Sequence, residues 1–174
     1  MAVAASGILS VPLDAMRTLI AATSAFQTWV GVETAAAAKA FIHLIALNEA
    51  ASLSQAEREA LRPVAVIGFG DDFHAAEDAE PGPYMRHGGQ IEVVFEAVIT
   101  AAYTDDEADA VLEFANSVGA VVEEMESTSR GTGTYLHLVG YHKTAGPGRY
   151  SPEDIAAGEL DIYQMSFLFD WDEC

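Results

Sequence analysis

The chain has 174 residues, 51% of them hydrophobic and 20% charged, which suits one globular domain with a sizeable core and excludes a disordered polymer. Its 27 acidic residues stand against 8 basic ones, a formal net charge of -19, and that balance argues against passive binding to nucleic acid or to an anionic membrane. The single cysteine, Cys174, leaves no internal disulfide, so packing alone must hold the fold.

The opening stretch "MAVAASGILSVPLDAM" lacks the basic start of a signal peptide, and no apolar run reaches the roughly 20 residues of a membrane span, so a cytoplasmic chain at synthesis is expected. From Pro12 to about Trp29, Leu13, Met16, Leu19, Ile20, Phe26 and Trp29 recur at helical spacing, which predicts one amphipathic helix stopped by Gly31. "VETAAAAKAFIHLIAL" is ambiguous between helix and strand; its alanines favour a short helix, followed by a strand from about Ala40 to Leu47. "SQAEREALR" places Glu57 three residues after Ser54, the capping-box spacing, and Pro63 closes this short surface helix.

"VAVIGFG" (64–70) and "QIEVVFEAVI" (90–99) read as buried strands that pair, the second with Ile91, Val93, Phe95, Ala97 and Ile99 on one face. Between them residues 71–89 form an acidic Gly/Pro stretch without periodicity, which reads as a long loop, functional or disordered. Thr104 and Glu107 form a second capping box. They open a long helix whose expected apolar stripe is Ala108, Val111, Leu112, Ala115, Val118, Val122 and Met125.

"STSRGTGT" is then a linker, and "YLHLVGYHK" a strand that sets Tyr135, His137, Val139 and Tyr141 against Leu136, Leu138, Gly140 and His142. "TAGPGRYSPEDIAAGEL" reads as a loop with one helical turn from Pro152. The closing strand "DIYQMSFLFDW" points Tyr163, Met165, Phe167, Phe169 and Trp171 into the core, while Ile162, Gln164, Ser166 and Leu168 make a mixed second face. The order of elements predicts an α+β fold: a mostly antiparallel β-sheet with flanking helices on one side and one long amphipathic helix packed on it.

The chemistry-bearing motifs are weak. "GFGDDF" lacks a third glycine and a following helix, and Asp71 and Asp72 would repel phosphate; "RGTGT" lacks the lysine of a phosphate loop. His137 and His142, five apart on a strand, fall on opposite faces unless a bulge intervenes, and His74 with Asp72, Glu77 and Asp78 offers at most diffuse attraction for a divalent ion. "HGG" (87–89) echoes an oxyanion loop but has no nucleophile beside it, and Cys174 lies at a chain end. No catalytic residue, metal site or cofactor is expected, and the scattered cations offer no nucleic-acid stripe.

In wording and order, "PLDAMRTLIAATSAFQTWVG", "RPVAVIGFGDDF", "GGQIEVVFEAVI" and "GTGTYLHLVGYHKTAGPGRYSPEDIAAGELDIYQMSFLFDW" resemble the tail-terminator or tail-completion proteins of long-tailed bacteriophages. The resemblance implies a virion protein, made in the host bacterial cytoplasm, that forms a ring of about six copies. Its implied partners are further copies of itself, the tail tube protein and a head-tail connector or stopper, with DNA passing through the lumen without specific binding. On that reading residues 71–89 are an assembly element that orders on docking, and the expected interface residues are Asp71, Asp72, Phe73, Tyr84, Met85, Arg86, Arg149 and Tyr150. Another neck component, adaptor or stopper, is the neighbouring alternative. A DNA-mimic inhibitor would need acids in two phosphate-like rows, and the clusters at 71–80, 105–109 and 123–126 do not obviously make them.

Overall fold

The computed structural model describes residues 10–44, 54–77, 85–99, 105–129, 136–149 and 162–173. The N-terminal helical region is two helices, α1 (Ser10–Ala22) and α2 (Ser24–Trp29), where the sequence predicts one. Thr23 makes the break: its backbone is extended, its Oγ1 accepts from the Phe26 N–H and its hydroxyl donates to the Ile20 carbonyl at 2.8 Å. One side chain thus closes the first helix and caps the second. Next come α3 (Ala35–Ala38), capped by Thr34, a 3₁₀ turn (Lys39–Phe41) and β1 (Ile42–Leu44), so the expected strand begins two residues late. Residues 45–47 lie outside the described residues.

The capping box of α4 (Gln55–Ala60) forms as expected: the Ser54 N–H and hydroxyl donate to Glu57 at 2.8 and 2.7 Å, and the Glu57 N–H donates back to Ser54 Oγ. Then follow β2 (Val64–Glu77), β3 (Met85–Val98), α5 (Asp105–Ser129), β4 (Leu136–Arg149) and β5 (Ile162–Glu173). The sheet order is β1-β2-β3-β5-β4; β1 runs parallel to β2 and every other pair is antiparallel. This is the expected α+β architecture.

Helices α1, α2 and α5 cover one face, where Phe26, Ile67, Ile91, Phe95, Phe169 and Trp171 are almost wholly buried. The buried stripe of α5 differs from the expected one. Phe114, Val118, Val121, Val122 and Met125 are buried, Phe114 against Trp29 of α2, whereas Ala108 and Leu112 are exposed. Val111 and Ala115 of the expected stripe pack against the core only in part, and α1 and α2 share the covering of α5 with β4 and β5. The proposed Thr104 cap lies outside the described residues, and residues 127–129, read as linker, belong to the helix.

The second sheet face is not simply wet. Val64, Ile162, Ser166 and Glu96 are buried there, and Arg62 Nε donates to Glu96 Oε2 at 2.9 Å with a second contact from Nη2. Two charges taken out of water need this pairing, because either one left alone is costly.

Candidate assembly site

Residues 71–89 were expected as a loop; instead β2 and β3 continue as a paired ribbon to Glu77 and from Met85, while 78–84 lie outside the described residues. Glycine and acids hide a strand from propensity, but ladder pairing with an existing sheet does not require apolar side chains. The register breaks between Phe69 and Phe73, so Gly70, Asp71 and Asp72 form a bulge that re-aims the ribbon. Opposite the bulge, Gly89 has φ +155, and a Cβ there would lie 2.4 Å from the Asp72 carbonyl oxygen. No side chain fits.

The two glycines of "HGG" leave one gap on each face of the ribbon. On the helix-side face Phe73 pairs with Gly89, and Gly89 pairs with Trp171 on β5. With no side chain between them, the Phe73 and Trp171 rings approach to 6.3 Å, and Phe73 stacks on the His87 ring at 6.0 Å, tilted by 19°. His87 is pinned in turn, since its backbone N–H donates to Glu173 Oε2 at 3.1 Å and its Nδ1 lies 3.0 Å from the same oxygen.

On the opposite face a row runs across four strands: His74, Gly88, Asp172 and His137. Asp72 Oδ2 lies 3.2 Å from His74 Nδ1, and a Cβ at Gly88 would meet both His74 Nε2 at 2.9 Å and Asp172 Oδ1 at 2.6 Å. Nearby, Gln90 Nε2 donates to Asp170 Oδ1 at 3.0 Å. Among the described residues no group of three or more His, Cys, Asp or Glu is arranged to hold a metal ion.

Strand β4 also exceeds its expected length. Residues 144–149, read as loop, pair with β5, and a bulge between Leu138 and Gly140 changes which residues share a face. Tyr141 therefore joins Leu136 and Leu138 on the helix side, its ring 5.6 Å from Phe169, rather than lying with His137 and Val139. The same bulge puts His137 and His142 on one face, opposite Asp172 and Leu168. Four strand positions separate those partners, about 13 Å, too far for one ion.

The expected interface residues separate into two groups. Asp71, Asp72 and Phe73 sit exposed at the bulge, and Met85 and Arg86 continue β3 opposite Glu77 and Ala76. Arg149 pairs with Tyr163, at the end of β5 remote from Trp171. Tyr84 and Tyr150 lie outside the described residues. Sequence reasoning missed the contact of His87 with Glu173, which ties the ribbon to the last strand; the adjacent glycines of "HGG" were the available signal. An open cleft of about 450 Å³ lies apart from these groups, lined by residues that include Trp29, Ile99, Glu113 and Phe114. No protein-family model matches the chain, and no curated protein sequence matches it.

Proposed function

We propose that the chain is a structural subunit of a phage particle, a ring of about six copies that terminates the tail tube and joins it to the head. The observation that carries this reading is the β2–β3 ribbon, which leaves the helix-covered core at a bulge yet stays tied to β5 through Phe73, His87, Trp171 and Glu173. A ring subunit needs such a part: backbone and side chains held in a fixed direction beyond the core, where a neighbour can meet them. The resemblance of four segments to tail-terminator proteins supports this position in the particle.

The charge suits a passage for DNA. Each copy brings a formal charge of -19, so acidic groups around a lumen would keep a polyanion from adhering as it slides through. The tail tube protein below and a connector or stopper above are the proposed partners.

Quantitative mass spectrometry of purified particles, scaled to the major capsid protein, tests the reading. Around six copies per particle is the expected result. Absence from the particle would overturn it and favour an inhibitor, and hundreds of copies would make the chain a tube or shell subunit instead.

A further inference from the structure

Among the described residues the sheet has two open edges, and they differ in charge. Strand β1 pairs with β2 only at Ala65, Val66 and Ile67, so from Gly68 to Glu77 that side of β2 carries no strand among the described residues. This stretch contains Asp71, Asp72 and Glu77 and no Lys or Arg. At the other side of the sheet, β4 pairs, among the described residues, only with β5. Strand β4 contains Lys143, Arg149, His137 and His142 and, over its 14 residues, no Asp or Glu.

We infer that these edges are the two halves of one head-to-tail contact, in which the acidic free edge of β2 on one copy docks against the basic edge strand β4 of the next. The inference rests on the ring reading and supplies its interface. A contact between two different surfaces of the same chain repeats from copy to copy and closes into a ring when the rotation allows. Opposite charge fixes which edges meet, because two β2 edges or two β4 edges would repel.

Strand β4 is interrupted by register shifts at Leu138/Gly140, Lys143/Ala145 and Ala145/Gly148, so regular pairing with a neighbour is limited to a short run such as Gly140 to Lys143. Bulges of this kind prevent indiscriminate edge pairing and leave selection to charge and to exposed side chains. Val139, 60% exposed, and Tyr141, 38% exposed, supply apolar surface on β4; Phe69 and Phe73, 38% and 37% exposed, do so on β2.

Charge reversal tests the assignment in the full chain. One variant carries Asp71→Lys with Asp72→Lys, the other Lys143→Glu with Arg149→Glu, and native mass spectrometry reads assembly at about 0.15 M salt, where long-range self-repulsion is screened and contact pairs are less so. The parent chain is expected to form the ring, each variant alone to remain monomeric, and an equimolar mixture to restore a ring of alternating copies. Only the mixture returns opposite charge to every contact. A ring that survives in both variants, or a mixture that stays monomeric, overturns the edge assignment while leaving the ring itself standing. A parent chain that never assembles overturns the ring reading and the contact with it. If a reversal abolishes cooperative melting, Asp71→Asn with Asp72→Asn replaces it, with an expected roughly tenfold weaker association, and unchanged association counts against the contact.

Discussion

The two halves of the β2–β3 ribbon share one ladder and differ in nearly everything else. In the near half, Ala65, Ile67, Ile91, Val93 and Phe95 are fully buried under the helices. Beyond the Phe69/Phe73 bulge, residues 71–75 are exposed, and the contacts of the ribbon include the Phe73 ring against His87 and Trp171 and the His87–Glu173 pair. Backbone pairing is continuous enough to carry direction outward, while side-chain burial, the main source of stability, stops at the bulge. A single hairpin can therefore be rigid at its root and cheap to alter at its tip.

The largest expected effect lies at the root. The Phe95 ring packs 5.9 Å from Trp29 and 6.3 Å from Phe167, linking helix layer, β3 and β5. Phe95→Ala is expected to cost about 3–5 kcal/mol, read as a lower denaturation midpoint for the whole fold. At the tip, deletion of residues 74–86 is expected to cost only about 1 kcal/mol. Phe73 and Gly89 are already paired, so joining Phe73 to His87 leaves His87 and Gly88 as a two-residue hairpin connection. The shortened chain is expected to melt cooperatively yet fail to form particles. A deletion as damaging as Phe95→Ala would erase the distinction between the halves, and infectious particles from it would remove the tip from assembly.

The same contrast explains what could be read in advance. Alternation in "DIYQMSFLFDW" and "QIEVVFEAVI" marks the core face because the period of a strand is two and the large apolar side chains fall on one face, but it does not show that Ile162, Ser166 and Glu96 are buried on the other. The cap at Ser54 is equally local and was equally legible. Thr23 was not, since its neighbours continue the helical spacing and only its hydroxyl signals a break. The ribbon beyond Gly70 was read as a loop because acids, glycine and alanine carry no strand preference; its order comes from β5, which is remote in sequence. Gly88 and Gly89 could be seen as permissive positions, but not that their missing side chains would bring Phe73 to Trp171 and His74 toward Asp172. The bulge in β4 likewise moved Tyr141 to the core side, a shift by one residue that periodicity alone cannot date.

The smallest expected effect tests the helix layer that covers the root. Glu124 on α5 reaches the start of α2, where Ser24 Oγ donates to its Oε1 at 2.7 Å and the Ala25 N–H donates to its Oε2 at 3.1 Å. A carboxylate at a helix N-terminus meets unpaired N–H groups and the positive end of the dipole. The Ser24 hydrogen bond, aided by the Ala25 N–H, outweighs desolvation and holds the Glu124 pKa below its ordinary value of 4.5. Because the folded value lies below the unfolded one, this contribution is complete above pH 4.5 and fades as pH falls through the lowered folded value. Glu124→Gln keeps the shape and removes the charge, so it is expected to lose about 0.5 kcal/mol at neutral pH and to converge on the parent chain in acid. Denaturation curves across that pH range read the convergence. A gap that persists unchanged in acid would mean that Glu124 acts by packing rather than charge, beside the rings of Phe26, Trp29 and Phe114.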